Sequence, residues 1–157
     1  MHTLLLMVGK TDDPRMVSLM ENYIKRINRY HRLDIQIIPE IKNKGKMSEK
    51  IQKQKEGELI LEELKKEDWV ILLDEKGKSF DSIGFSQYIN LKRSIALRRM
   101  VFVIGGPYGF SESLYARGQE KIALSSMTFS HQMIRLFFLE QLYRANSILK
   151  NEPYHHK

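Results

Sequence analysis

The stretch Met100-Val101-Phe102-Val103-Ile104-Gly105-Gly106-Pro107-Tyr108-Gly109 joins an apolar run to a glycine-rich loop. Its first five residues are apolar and mostly β-branched, which is typical of a strand. The three glycines leave backbone amides uncovered and allow a flat ligand to approach the main chain. Pro107 stiffens the loop and so favours a preformed pocket, with a purely structural turn as the alternative. The spacing fits neither a phosphate-binding loop nor a dinucleotide-binding fingerprint.

Short apolar runs elsewhere also predict strands, and the amphipathic stretches between them predict helices. The other predicted strands are Leu4–Val8, Leu33–Ile38, Trp69–Leu73 and Lys121–Leu124. The predicted helices are Asp13–Ile27, Ser48–Lys66, Asp81–Leu97, a short turn after Ser111, and Ser130–Leu149. Because strands alternate with helices, we expect an α/β fold with a largely parallel sheet and helices on both faces. A length of 157 residues suits one domain, residues 1–157.

Two of the predicted helices have unusual surfaces. The first half of Ser48–Lys66 is almost wholly charged, so we expect it to project into solvent. The last helix is apolar over a wide arc that includes Ile134, Phe137, Phe138 and Leu142. A helix covered on one side by its own domain is normally polar on the other. Burial within a monomer would explain this arc, but we favour an interface between two subunits and expect a homodimer.

The composition favours a polyanionic partner. Lys and Arg number 26 against 19 Asp and Glu, which gives a net charge of +7 and a pI near 9.5. Nucleic acid is the commonest polyanion, although a merely soluble surface would also carry such a charge. The absence of cysteine excludes a disulfide framework and a thiolate metal site, and it suits a reducing cytoplasm. The apolar N-terminal run is too short for a signal peptide or a membrane span, so we expect no membrane and no metal.

Two further predicted strands are followed by segments that could carry chemistry. Leu72-Leu73-Asp74-Glu75-Lys76-Gly77-Lys78 places a carboxylate and a turn where ligands bind in parallel sheets, at the carboxyl edge. A simple polar turn explains it equally well. Leu124-Ser125-Ser126-Met127-Thr128-Phe129-Ser130-His131 runs into the last helix with several hydroxyl residues and one histidine. These hydroxyls either cap the helix or line a nucleoside pocket.

Together, these segments resemble the RlmH (YbeA-like) ribosomal RNA methyltransferases of the SPOUT class. The resemblance covers the whole chain from Val8-Gly9-Lys10 onward, and order, spacing and total length agree. It is densest in Leu73-Asp74-x-x-Gly77-Lys78, Ile104-Gly105-Gly106-Pro107-x-Gly109 and Leu124-Ser125-x-Met127-Thr128. It continues through His131-x-x-x-Arg135, Glu140-Gln141-x-Tyr143-Arg144-Ala145 and Pro153-Tyr154-His155.

This resemblance implies a fold, a cofactor and a substrate. It implies a single SPOUT methyltransferase domain with a C-terminal trefoil knot, acting as a homodimer in the cytoplasm. The implied methyl donor is S-adenosyl-L-methionine, and the implied substrate is N3 of a pseudouridine in helix 69 of 23S ribosomal RNA in the ribosome. The implied cofactor contacts are Leu73, Gly105, Leu124, Ser125, Ser126, Met127, Thr128 and Phe129. Exposed backbone amides can read the adenine edge, while the apolar side chains of this set supply walls.

The C-terminal residues are the predicted catalytic groups. N3 of the base must lose a proton on methylation, so a nearby base or cation would help. We expect Arg144 to stabilise charge or hold a phosphate, Tyr154 to stack or hydrogen-bond, and His155 to accept a proton. His131 is a weaker candidate because it lies at a helix start. The candidates for RNA backbone contact are Lys42, Lys44, Lys46 and Lys50. A transfer RNA methyltransferase and a non-enzymatic RNA-binding factor on the same scaffold remain the alternatives.

Overall fold

The computed structural model describes residues 1–156, so only Lys157 of the predicted domain lies outside the described residues. The strands are β1 (His2–Val8), β2 (Arg32–Ile38), β3 (Trp69–Ser79), β4 (Arg99–Ile104) and β5 (Glu120–Ala123). The helices are α1 (Pro14–Ile27), α2 (Glu49–Glu63), α3 (Ser82–Ser94), α4 (Glu112–Arg117) and α5 (Met133–Leu149), with a 3-10 turn at Lys44–Lys46.

Within residues 1–156 the five strands form one sheet in the order β2-β1-β4-β3-β5, and every neighbouring pair is parallel. The central strand β4 is buried from Met100 to Ile104, as expected of a strand covered on both faces. The predicted α/β fold with a parallel sheet is therefore confirmed. The strand order does not by itself establish the C-terminal knot, which stays a prediction, as does the single-domain assignment.

Helices cover both faces of the sheet, each over its own apolar cluster. On one face, α1, α3 and α5 pack on Leu5, Phe102 and their neighbours, and α5 contributes Phe138, Leu139 and Leu142. On the other face, α2 and α4 pack on alternate residues of the same strands, with Ile60 and Leu114 at the centre. Successive side chains of each strand point to opposite faces of the sheet, so a single apolar run contributes residues to both apolar clusters.

Local sequence explains where several helices begin. Asp13 accepts a hydrogen bond from the Arg15 backbone amide at 2.8 Å, and Pro14 starts α1 with its fixed φ. Asp81 caps α3 and Ser111 caps α4 in the same way, so the predicted short helix after Ser111 is confirmed. The last helix begins at Met133 rather than Ser130, and in the turn before it the Ser130 hydroxyl accepts the Met133 amide at 3.1 Å.

The prediction that β3 ends at Leu73 in a turn is wrong. The strand loops out after Leu73 and then resumes pairing with β5, at Lys78 and Ser79. Gly77 permits this return because a Cβ there would lie 2.5 Å from the backbone nitrogen of Ile122. The Asp74–Gly77 segment is thus an excursion within a strand, held at the carboxyl end of β5.

The expectation that the first half of α2 projects into solvent holds for one face only, since Glu49–Ile51, Gln54 and Lys55 are exposed. Gln52 and Glu56 of the same half are buried, and the Gln52 Nε2 donates to Glu56 Oε1 at 3.0 Å. The close approach arises at Gly57, where a Cβ would lie 2.2 Å from the Ser111 hydroxyl oxygen. Because Gly57 has no side chain, the face of α2 that carries Gln52 and Glu56 packs closely against the start of α4.

Candidate functional site

A cavity of about 790 Å³ lies at the carboxyl edge of β3, β4 and β5. The excursion within β3 and the segments that follow β4 and β5 form its walls, at the edge where ligands usually bind in a parallel sheet. Its volume falls in the range of small-molecule sites. The lining includes Leu73–Lys76, Ile104–Phe110, Leu124, Ser125, Met127–His131, Ile134, Tyr115, Ile122 and Lys53. We call this space the large cavity.

The glycine loop after β4 forms one wall of the large cavity as a tight turn. The Gly109 amide donates to the Gly106 carbonyl at 3.2 Å, with Pro107 at the second turn position. Gly109 adopts a positive φ of 80°, which a side chain would disfavour. A Cβ on Gly105 would lie 3.0 Å from the Phe110 ring, so a side chain at this position would crowd Phe110 in the cavity wall.

Beneath Gly106 lies the buried carboxylate of Glu56. A Cβ on Gly106 would lie 2.5 Å from Glu56 Oε2, and this oxygen has no hydrogen-bond partner within residues 1–156. The loop thus rests directly on a charged side chain of α2. Sequence reasoning missed this residue because it belongs to the charged half of a helix expected to be in solvent.

The hydroxyl segment after β5 forms the opposite wall. Ser125 is half-buried and its hydroxyl accepts the Met127 amide at 3.0 Å, while Thr128 donates to Glu75 Oε2 at 2.6 Å. Leu73, Gly105, Leu124, Ser125, Met127, Thr128 and Phe129 all line the large cavity. Of the residues predicted to bind the cofactor, Ser126 alone is absent from this described lining, and it is exposed.

The lining also carries charges that sequence reasoning did not assign. Asp74 accepts a hydrogen bond from the Tyr115 hydroxyl, Glu75 is bonded to Thr128, and Lys53 and Lys76 lie on the same walls. Burial and the Asp74 charge raise the pKa of Tyr115, so Tyr115 remains a donor. The Asp74 motif pointed to this part of the site, whereas nothing in the charged sequence around Lys53 did.

The start of α5 is fixed to the end of β1 beside this cavity. Arg135 is fully buried and donates to the Val8 carbonyl at 2.6 Å and the Gly9 carbonyl at 2.8 Å. His131, one turn earlier, lines the large cavity, and burial together with the Arg135 charge lowers its pKa. A neutral His131 at pH 7 is consistent with a supporting role at the helix start.

The three predicted catalytic residues, Arg144, Tyr154 and His155, lie together around Glu140. We call these four residues the tail cluster. Arg144 donates from Nε and Nη2 to Glu140 Oε1, at 3.0 and 2.5 Å, and lies over the Tyr154 ring at 4.7 Å from its centroid. Tyr154 donates to the same carboxylate oxygen at 3.1 Å. Arg144 Nη1 is 3.3 Å from His155 Nδ1. Sequence reasoning missed Glu140 as the acceptor that joins the cluster.

Charge fixes the protonation states in the tail cluster. The Glu140 carboxylate raises the pKa of Arg144, and burial, with the Tyr23 hydrogen bond and the Glu140 charge, raises that of Tyr154. Arg144 is therefore a permanent cation and Tyr154 a permanent donor near neutral pH. The Nδ1 lone pair of His155 faces Arg144, so His155 accepts a proton at that atom only after this contact opens.

The tail cluster and the large cavity lie at different levels of α5. Ile134 lines the cavity, and Arg144 follows ten residues later, which is about 15 Å along a helix. A second cavity of about 420 Å³ lies between them, shares Leu124, Ser125 and Phe129 with the large cavity, and reaches Glu140. Within one chain, Arg144, Tyr154 and His155 are thus absent from the described linings of both cavities, and of the tail cluster only Glu140 reaches the smaller one.

Large apolar side chains are exposed beside both cavities. Met127 is 73% exposed and Phe137 is 37% exposed, with Phe129 and Met133 at similar levels to Phe137. Phe129 and Phe137 pack against each other with ring centroids 4.9 Å apart. We call these four residues the apolar patch. Leu142 is buried within its own chain, so only part of the wide apolar arc of α5 remains uncovered.

The described residues include neither a membrane-spanning helix nor a cluster of potential metal ligands. No helix in residues 1–156 has the length and apolarity that crossing a bilayer requires. Across the same residues, no group of three or more His, Cys, Asp or Glu side chains is placed to hold a metal ion.

Comparison with known proteins gives consistent matches over the whole chain. A family model described as a predicted SPOUT methyltransferase matches residues 1–155. A protein named ribosomal RNA large subunit methyltransferase H from Flavobacterium johnsoniae is 54% identical over 157 residues, which is 100% of both chains. The protein of that name from Christiangramia forsetii is 54% identical over 153 residues, 98% of each chain.

A solved structure shares the fold at low sequence identity. It is described as a probable methylase family protein from Haemophilus influenzae Rd KW20 and has a TM-score of 0.50 with 8% identity. The match covers 99% of this chain and 70% of that one. At such identity the likeness concerns the fold alone.

Proposed function

Because this chain belongs to the SPOUT methyltransferase family, we propose that it methylates the RNA of the large ribosomal subunit with S-adenosyl-L-methionine as methyl donor. The target we propose is N3 of a pseudouridine in helix 69 of 23S ribosomal RNA. The observation that carries the proposal is the large cavity, bounded by the bare glycine loop and the Leu124–Phe129 segment. The family also supports the C-terminal knot, and the ribosomal substrate implies action in the cytoplasm.

The residues of the large cavity fit this cofactor. A nucleoside needs a flat apolar slot with backbone groups at its edge, and Leu73, Leu124 and the Gly105–Gly109 loop offer both. An amino-acid end with one ammonium and one carboxylate suits walls that carry Lys53, Asp74, Glu75 and Lys76. When bound, the cofactor supplies a methyl group on a positively charged sulfur.

The tail cluster supplies what the nucleobase requires. Methylation forms a bond to N3 as N3 loses its proton, so the base develops negative charge that Arg144 can stabilise. His155 accepts the N3 proton once its contact with Arg144 opens. Tyr154, held protonated by burial and by Glu140, donates or stacks and so orients the base.

We further propose that one active site is built from two subunits. Arg144 lies about 15 Å along α5 from Ile134 in the wall of its own chain's large cavity, and Arg144, Tyr154 and His155 are absent from that described lining. The apolar patch between them is exposed, which supports contact with a second copy of the chain. A two-fold dimer around this patch would set the tail of one subunit over the cavity of its partner.

Methyl transfer to ribosomes tests the function directly. Purified protein and labelled S-adenosyl-L-methionine are incubated with ribosomes from cells that lack this modification, and nucleosides are analysed by mass spectrometry. We expect one labelled product, a methylpseudouridine located in helix 69. Label in transfer RNA would overturn the ribosomal target, and no transfer despite cofactor binding would leave a binding protein on the same scaffold.

Ser125 and Ser126 offer a matched test of the cofactor site. We expect wild-type protein to bind S-adenosyl-L-methionine with micromolar-range affinity, on the order of −8 kcal/mol. Ser125→Trp places a large side chain in the large cavity and should weaken binding by more than about tenfold, or 1.4 kcal/mol. Ser126→Trp, one residue later and exposed, should leave binding unchanged in calorimetry.

Two further results complete that test. Ser125→Ala removes only the hydrogen bond that Ser125 accepts from the Met127 amide. Its affinity for the cofactor therefore shows how much of the Ser125→Trp effect comes from losing this bond and how much from filling the cavity. Equal affinity in Ser125→Trp and Ser126→Trp would contradict the assignment of the large cavity to the cofactor.

A further inference from the structure

A third cavity, of about 340 Å³, lies where the C-terminal ends of α1 and α5 meet. Three cationic side chains converge on it, from Arg26, Arg29 and Lys150. Its remaining walls are Tyr30, Tyr143 and Glu152. We call these six residues the basic pocket.

The cations of the basic pocket carry charge that the described chain does not compensate. Across residues 1–156, none of Arg26, Arg29 and Lys150 forms an ion pair, whereas Arg99 and Arg144 each do. The only carboxylate in the lining is Glu152, which accepts the hydrogen bond of the Tyr30 hydroxyl. Burial and Glu152 raise the pKa of Tyr30, so this hydroxyl stays a donor. Because the single Tyr30 hydroxyl proton is engaged by Glu152, the pocket offers an anion the charge and N–H donors of Arg26, Arg29 and Lys150.

The pocket is continuous with the tail cluster through an aromatic contact. Tyr143, in the pocket wall, packs edge-on against Tyr154 with ring centroids 4.6 Å apart. Arg26 lies over the same Tyr143 ring, 5.5 Å from its centroid. An anionic chain bound in the pocket would therefore run past the residues proposed to receive the nucleobase.

We propose that the basic pocket binds backbone phosphate of the substrate RNA next to the target nucleotide. This inference rests on the proposed function, since it assigns a second contact of the same RNA. Two arginines and a lysine around one cavity suit phosphate oxygens, and the tyrosines suit the ribose or a neighbouring base. The lysines of the Pro39–Met47 loop are less suited, because Lys44 is already paired with Glu40 at 2.5 Å.

The test compares two double variants that remove equal charge. Arg29→Gln with Lys150→Gln empties the pocket of two cations but keeps Arg26, which packs on Tyr143. Lys65→Gln with Lys66→Gln removes two exposed cations between α2 and β3, outside the pocket. Sedimentation with unmodified ribosomes gives affinity over a series of salt concentrations, and calorimetry gives affinity for S-adenosyl-L-methionine.

We expect the pocket variant to bind ribosomes about tenfold or more weakly and the control variant to bind like wild type. The slope of log affinity against log salt should fall by about two, one for each lost phosphate contact. Cofactor affinity should be unchanged in both variants.

Equal ribosome affinity and salt slope in the two variants would overturn the inference. A lowered melting temperature with ribosome binding intact would also overturn it, because the cations would then serve only the C-terminal helix dipoles. Absence of methyl transfer by wild-type protein would instead contradict the proposed function. The sedimentation experiment would still decide whether the basic pocket binds ribosomal RNA.

Discussion

Arg144→Ala should lower the rate of methyl transfer to ribosomes by about two orders of magnitude or more, with cofactor affinity unchanged. Arg144 is the fixed cation of the tail cluster, held on Glu140 and lying over Tyr154. Its loss removes the positive charge that would stabilise the nucleobase as N3 loses its proton. It also releases His155, which faces Arg144 across 3.3 Å.

Further variants distinguish the effect of the Arg144 charge from the effect of positioning the tail cluster. Arg144→Lys keeps the charge but loses the planar contacts, so it should recover part of the rate. Glu140→Gln weakens the anchor of Arg144 and should raise KM more than it lowers kcat if Glu140 only positions the tail. His155→Ala should resemble Arg144→Ala in rate. Normal turnover by Arg144→Ala and His155→Ala on ribosomes would remove both residues from the proposed chemistry.

Phe137→Asp should convert the proposed dimer into a monomer and abolish most methyl transfer. Phe137 is exposed in one chain and packs on Phe129, at the centre of the apolar patch. A charge placed there would be buried without a partner in the dimer, which is costly. The monomer should still fold because Phe137 lies outside the fully buried core of α5, formed by Phe138, Leu139 and Leu142.

Leu91→Asp is the matched control for the dimer. Leu91 is 59% exposed on α3 and lies outside the apolar patch, so its change should leave mass and activity as in wild type. Light scattering at tens of micromolar gives the mass, and calorimetry verifies that Phe137→Asp still binds the cofactor. A dimeric Phe137→Asp, or a folded wild-type monomer at that concentration, would contradict the proposed interface.

The fold was largely accessible from the sequence because its strands are continuous apolar runs. Met100–Ile104 and the glycines after it predict both the central strand and the loop at its end. The return of β3 at Lys78 was not accessible, since it depends on Gly77 meeting the backbone of Ile122 in another strand. A contact between two strands that are distant in the chain produces no periodic pattern of apolar residues in the sequence.

The candidate site was partly accessible for a similar reason. Motifs at strand ends singled out three segments, and the family resemblance implied Leu73, Gly105 and Leu124–Phe129 within them, of which all but Ser126 line one cavity. Lys53 and Glu56 were missed because their helix has a solvent-like pattern, and only the fit of Gly57 against Ser111 brings that face inward. The distance between cavity and tail follows from the helix that separates them, and it is the reason for proposing a shared site.

Mixed dimers test the shared site most directly. One chain carries Ser125→Trp, with a blocked cavity and an intact tail, and the other carries Arg144→Ala, with an intact cavity and a damaged tail. Each chain receives its own affinity tag, so the mixed dimer is purified free of either parent, and methyl transfer to ribosomes is measured. If the site combines one subunit's cavity with the partner's tail, the mixed dimer keeps one intact site of two and should show about half the wild-type rate, while both parent dimers stay inactive. A mixed dimer as inactive as its parents would contradict the shared site.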